Sequence, residues 1–153
     1  MGDAMKLTIL LAVLALGGLL ATSASALDSR ATRLYSQIAE LGISKPIAEW
    51  LAEEAAKARV SAIRVGKIRD YGRSDSTGKI TIQDSAAGRS IRNLTHEIAH
   101  IGAGVAGGHD CRWIRYLTTM AGRFETKFGR ARGWNTSSLE SYYPRYRLDR
   151  CKR

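Results

Sequence analysis

The most informative stretch of the chain is residues 90–101, SIRNLTHEIAHI. Its apolar side chains recur at helical spacing, which predicts an amphipathic helix that begins after Ser90. These side chains are Ile91, Leu94, Ile98 and Ile101. On a helical wheel, at roughly 100° per residue, His96 and His100 fall on the opposite side. The stretch therefore predicts a helix with scaffold packed behind it and two imidazoles at the floor of a cleft.

The same stretch holds His96, Glu97 and His100 in the pattern H-E-x-x-H, which is typical of zinc hydrolases. Two His residues four apart lie one turn apart on the same side of a helix, so both can reach one metal ion at about 2.0–2.1 Å. The Glu between them is rotated away from the ligands and can act as a general base on water. We therefore expect one Zn²⁺ per chain, a metallopeptidase that hydrolyses peptide bonds, and Glu97 as its catalytic residue.

A catalytic zinc usually has three protein ligands and one open position, so a third ligand is needed. The remaining His of the chain, His109, follows a run rich in Gly and Ala, and we predict that a turn returns it to the metal. Asp110 and Glu125 are alternatives that the sequence leaves open. The metzincin extension is excluded, because it needs Gly at position 103 and His at position 106, where the chain has Ala103 and Ala106.

The donor that would stabilise the oxyanion of a peptide-bond hydrolysis is also left open by the sequence. The candidates are Tyr71, Tyr142, Tyr143 and an Arg of the C-terminal tail.

The segments around the motif predict an α+β domain with a short β-hairpin or small sheet packed on helices. Two helices precede the strands, one capped by Ser29 and ended by Gly42, and one that starts after Ser44. Residues 60–68 and 79–83 alternate apolar and polar side chains, which predicts two strands paired as a hairpin through the turn-forming residues 72–78.

After the motif, a further helix is predicted from Asp110 to Gly129. Its stripe of large apolar side chains is interpreted as core, and the chain beyond Ala131 is expected to be irregular. The stripe consists of Trp113, Leu117, Met120 and Phe124.

The N-terminus has the features of a secretory signal. Lys6 precedes an apolar run from Leu7 to Leu20, shorter than the ~20 residues needed to cross a bilayer, and Ala24-Ser25-Ala26 fits a small-x-small cleavage site. We predict that residues 1–26 are a signal peptide cleaved after Ala26, and that 27–153 form a single domain, secreted or periplasmic. An uncleaved signal that anchors the protein in the membrane is the alternative.

Two cysteines, Cys111 and Cys151, remain in the mature chain. An exported protein meets an oxidising compartment, so we predict a disulfide between them. The alternatives are two free thiols, or Cys111 as a metal ligand close to His109.

The net charge of +10 is concentrated in residues 111–153, which hold three acidic and eleven basic groups. This excess favours an anionic partner such as nucleic acid, anionic lipid, cell-wall polymer or acidic protein, without choosing among them. A solvated face that keeps the protein soluble explains the charge equally well. No obligate partner is evident. The alternative function is a basic exported protein that binds nucleic acid or another polyanion, with structural zinc or none.

The chain resembles the SprT-like zinc metallopeptidase domain, including versions from phage genomes. The resemblance is carried by LTHEIAH at residues 94–100, GHDCRW at 108–113 and MAG at 120–122, and it spans roughly residues 68–125. It implies a zincin-like fold, zinc bound by His96, His100 and His109, Glu97 as general base, and a protein or peptide substrate. The chain departs from the family pattern at Asp110, where Gly is usual, and in its export signal, which cytosolic members lack.

Overall fold

The computed structural model describes residues 29–104, 108–130, 134 and 139–152. The signal peptide predicted for residues 1–26 lies outside these residues. Within the described ranges, no helix combines the length and the hydropathy needed to span a membrane.

The described chain is an α+β domain, as the sequence predicts. In chain order its elements are α1 (29–39), α2 (Lys45–Lys57), β1 (Ala62–Gly66), β2 (Gly72–Ser74), β3 (Lys79–Gln83), α3 (Ile91–Gly102), α4 (Cys111–Phe128), α5 (Tyr142–Arg145) and a 3-10 turn (Asp149–Lys152). Ser29 already lies inside α1, so it is not the cap that the sequence suggests.

The three strands form a mixed sheet in the order β1-β3-β2. β3 runs parallel to β1, with Ile63 opposite Ile80, and antiparallel to β2, with Arg73 opposite Thr81. The predicted hairpin between residues 60–68 and 79–83 is therefore wrong, because the hairpin partner of β3 is β2. Strand β2 has only three residues, and they show no alternation of apolar and polar side chains. The sequence pattern therefore cannot distinguish this strand from a turn.

Helix α3 is the centre of the domain, since it contacts α2, α4, β2 and β3. Leu94 and Ile98 are fully buried, whereas Ile91 and Ile101 are partly buried at the edge of the core. Burial of this stripe fixes the rotation of α3 about its axis. The opposite side of α3 carries His96 and His100.

Helix α4 has the bounds that its caps predict. Asp110 accepts hydrogen bonds from the backbone N–H groups of Arg112 and Trp113, and Gly129 ends the helix with a φ of 75°. The predicted core stripe of α4 is buried, and Phe124 packs edge-to-face on Trp50 and Trp134.

The C-terminal tail contains regular structure, so the prediction that it is irregular beyond Ala131 is wrong for residues 142–145 and 149–152. A disulfide between Cys111 and Cys151 joins the start of α4 to the 3-10 turn. Turns of four residues are too short for a period-3.6 pattern to be recognised in a sequence.

Candidate metal centre

Helix α3 places His96 and His100 one turn apart, and the Ser90 hydroxyl fixes its first turn by accepting a hydrogen bond from the Asn93 N–H at 3.2 Å. His109 comes from the segment before α4, directly ahead of the helix cap Asp110. Helix α3 and the residue before the cap of helix α4 therefore bring the three imidazoles together.

The Nε2 atom of His96 lies 3.2 Å from Nε2 of His100 and 3.1 Å from Nε2 of His109. In all three residues the ligand atoms lie within 4.8 Å of one another. Two nitrogens bound tetrahedrally to one ion at about 2.0–2.1 Å would be about 3.3–3.4 Å apart. The three His residues can therefore hold a metal ion.

Two of the three imidazoles have lowered pKa values. Burial, reinforced by the neighbouring imidazoles His100 and His109, lowers the pKa of His96 to about 3. Burial and the adjacent His100 also lower the pKa of His109 to about 4. At neutral pH both rings are neutral, and a neutral imidazole has the lone pair that a metal requires.

The aromatic ring of Trp113 packs against all three imidazoles, with centroids 4.8 Å from His96, 5.4 Å from His100 and 4.4 Å from His109. Its indole N–H donates to the backbone carbonyl of His96 at 3.3 Å. Tyr146 stacks on the ring of His109, with centroids 3.9 Å apart. These contacts restrict the ring orientations before any metal is bound.

Glu97 is buried, with 5% of its surface exposed, and it faces strand β2. The hydroxyl and the backbone N–H of Ser74 both hydrogen-bond to its carboxylate. Burial nevertheless raises the pKa of Glu97 to about 6, because desolvation of the carboxylate outweighs those two hydrogen bonds. A carboxyl group with this pKa is suited to accept and release a proton near neutral pH.

The contact between β2 and Glu97 requires glycine at position 72. A Cβ atom there would lie 2.8 Å from the Glu97 Cγ and 2.8 Å from the Asn93 Nδ2. Asn93 in turn donates to the backbone carbonyls of Tyr71 and Gly88, which ties this part of α3 to the strand.

An open cleft of about 620 Å³ gives access to the centre. Both His96 and His109 face it together with Glu97, and its walls come from β2 and the segment before it, from α3 and from the tail. The wall residues used below are Asp70, Tyr71, Arg92, Tyr142, Arg145 and Tyr146. On the other side of the centre, His100 lines a smaller hollow of about 210 Å³.

No protein-family model, curated protein or solved structure matches this chain.

The alternative ligands from the sequence are engaged elsewhere. Asp110 caps α4 and pairs with Arg112 at 2.9 Å, and Glu125 lies 3.8 Å from Arg130 near the other end of that helix. Cys111 is in the disulfide. Among the residues that the structure describes, the group able to hold a metal consists of the three His residues alone.

The candidate oxyanion donors separate into two groups. Tyr71, Tyr142 and Arg145 line the cleft, and the Tyr142 hydroxyl, which accepts a hydrogen bond from Arg92 at 3.0 Å, keeps its own O–H for donation. The Tyr143 hydroxyl lies 3.4 Å from the Thr118 hydroxyl and is not part of the cleft lining. Tyr71 is the more exposed of the two candidate tyrosines in the cleft, at 61% against 6% for Tyr142.

Sequence reasoning missed Ser74, Gly72 and Tyr146 as parts of the site, and it assigned Trp113 to the core alone. The three-residue strand β2 has no pattern of its own, so its contact with Glu97 could not be read from the chain. For Tyr146, the interleaving of tyrosine and arginine after residue 141 was the available signal.

Proposed function

We propose that this protein is a zinc-dependent peptidase with a zincin-like site. The observation that carries the proposal is the convergence of three imidazole nitrogens, two of them from His residues that line an open cleft together with the buried Glu97. Three neutral His ligands suit Zn²⁺, and three ligands rather than four leave a coordination position open, as in catalytic zinc sites. The resemblance to SprT-like peptidases supports the same activity.

Zinc held by these ligands would polarise the scissile carbonyl and lower the pKa of a bound water to about 7. Glu97 would act as the general base and general acid. Its carboxylate would accept the proton of the attacking water, and the carboxylic acid so formed would donate that proton to the leaving nitrogen. Ser74 would hold that carboxylate in place through its two hydrogen bonds. Tyr71 and Tyr142 are candidate oxyanion donors that line the cleft with a hydroxyl group.

The test measures zinc content and proteolysis of a casein-type substrate, using the chain from Leu27. We expect one zinc per chain in the wild type. Glu97→Gln should retain zinc and lose about 10²- to 10⁴-fold in turnover, because the general base is removed while the ligands stay. Glu53→Gln, at an exposed site on α2, is the matched control and should behave as wild type.

His109→Ala tests the ligand set, and we expect much weaker zinc binding in this variant. Full activity of Glu97→Gln would refute the general base. Zinc affinity that is unchanged in His109→Ala would refute the third ligand.

The alternative, a basic protein that binds polyanions, has less support. The hollow on the outer face of α4 is lined by Arg112, Arg115 and Arg123. Arg112 pairs with Asp110, and Arg123 pairs with the buried Glu54, so much of the charge on this face is neutralised.

A further inference from the structure

Two arginines line the cleft of the metal centre without a carboxylate partner among the described residues. Arg92 lies one turn before His96 on α3, and Arg145 lies at the end of α5. The acidic wall residue Asp70 accepts a hydrogen bond from Arg73 at 3.2 Å instead. If the proposed general base Glu97 is set aside, the side chains that line the cleft therefore carry an excess of positive charge.

Tyrosine rings hold both guanidinium groups in place. Arg92 lies 5.1 Å from the centroid of the Tyr142 ring, and its Nε donates to the hydroxyl of that residue. Arg145 lies 5.4 Å from the centroid of Tyr146. The two tyrosine rings are nearly parallel, at 14° with centroids 5.9 Å apart, and Tyr146 stacks on the metal-site residue His109. The ring contacts thus place both arginines beside the imidazoles.

This arrangement leaves the terminal nitrogens of Arg92 available, because only its Nε makes a hydrogen bond within the described chain. A guanidinium edge with two parallel N–H donors matches the two oxygens of a carboxylate. Since the ring contacts already hold the side chains, little conformational entropy is lost when a ligand binds.

We propose that Arg92 and Arg145 bind a carboxylate of the substrate, so that the preferred substrate is an acidic peptide cleaved next to an Asp or Glu residue. The proposal rests on the proposed function for the cleavage step, but binding of an acidic peptide can be measured without it. The C-terminus of a peptide offers the same pair of oxygens as an Asp or Glu side chain, so the test has to distinguish the two.

The experiment uses fluorogenic peptides that differ only by Asp or Asn near the scissile bond, each with a free or an amidated C-terminus. We compare kcat/KM for the Asp and Asn peptides, and we measure their binding to zinc-loaded Glu97→Gln by fluorescence anisotropy. The expected preference for Asp is roughly tenfold to a hundredfold, as for a hydrogen-bonded charge pair. An Asp preference that persists after amidation assigns the bound carboxylate to the side chain. Equal binding of the Asp and Asn peptides, weakened for both by amidation, assigns it to the C-terminus and overturns the preference for acidic residues.

The variants Arg92→Gln and Arg145→Gln should each reduce the Asp-to-Asn ratio, and Arg145→Glu should shift the preference towards a Lys peptide. The ratio is measured within one variant, so partial loss of folded protein does not change it. Arg150→Gln is the matched control, because Arg150 is exposed on the same tail and does not line the cleft.

Equal binding of the Asp and Asn peptides would overturn the proposal, as would a preference that persists in both Gln variants. Binding of a single-stranded oligonucleotide in place of the acidic peptide, lost in the same variants, would also overturn it. If no peptide is cleaved but the Asp preference is seen in binding, the proposed function fails and the carboxylate site stands.

Discussion

At the scale of single residues, burial of Glu97 raises the pKa of its carboxyl group and lowers the stability of the metal-free fold at neutral pH. A carboxyl group that is 5% exposed keeps a useful pKa of about 6 only because burial penalises its charged form. The metal-free protein therefore binds more protons at Glu97 than the unfolded chain does, between the ordinary pKa of 4.5 and about 6. Stability from this group is complete below pH 4.5 and is lost as the pH rises through 6.

Replacing Glu97 by Gln should consequently stabilise the metal-free protein at neutral pH. A pKa raised from 4.5 to about 6 corresponds to about 2 kcal/mol, which is the upper limit of the gain at pH 7.5. At pH 4 both side chains are neutral and the difference should disappear. Urea unfolding in the presence of a chelator measures both values, with Glu53→Gln as the control. Equal stability of Glu97→Gln and wild type at pH 7.5 would show that burial of this charge does not destabilise the metal-free protein.

The sequence predicts that the three His residues lie close together because their spacing is local. His96, Glu97 and His100 are set by one helical turn, and the turn from α3 to α4 is short enough that His109 could be assigned as well. Tyr146 was not assigned to the site, because its stacking on His109 depends on a contact between residues 37 positions apart in the chain.

At the scale of elements, the helices follow from their caps and apolar stripes, whereas the strand pairing does not follow from the sequence. Ser90, Asp110 and Gly129 are local signals, and each stands at the helix end that it predicts. The parallel pairing of β1 with β3 joins residues 17 positions apart, such as Ile63 and Ile80, and no local signal in the sequence specifies it. β2 contributes directly to the candidate site, since its residue Ser74 supplies two hydrogen bonds to Glu97.

The close packing of β2 on α3 leads to a prediction for Gly72→Ala. The added methyl group would lie 2.8 Å from the Glu97 Cγ, so the carboxylate or the strand must move. We expect at least a tenfold loss of turnover, a loss of about 1–3 kcal/mol in stability, and normal zinc content, since no His residue is displaced.

Gly122→Ala is the matched control for this substitution. A Cβ at this position in α4 meets no atom within 4 Å, and we expect unchanged turnover with a gain of about 0.5–1 kcal/mol in stability. Zinc content, turnover and urea unfolding measured on both variants check the pair. Wild-type turnover in Gly72→Ala would show that β2 does not position the base.

At the scale of the whole molecule, the disulfide connects the metal centre to the C-terminal wall of the cleft. Cys111 is the first residue of α4, two positions after His109, and Cys151 lies 40 positions further along the chain. Between them the tail returns so that Tyr142 and Tyr146 pack on His96 and His109. One covalent link therefore stabilises the fold and holds the cleft wall against the imidazoles.

The double variant Cys111→Ser/Cys151→Ser separates these two roles, and serine avoids a free thiol that could compete for zinc beside His109. Loss of a link across 40 positions should lower the free energy of unfolding by up to about 4 kcal/mol, measured with urea. Zinc should still bind, because Asp110 and Trp113 position His109 without the tail. Turnover should fall even where the variant is fully folded, because the tail that carries Arg145 is no longer held. If turnover and stability both equal those of the wild type, the aromatic packing of Tyr142 and Tyr146 alone suffices to hold the cleft wall.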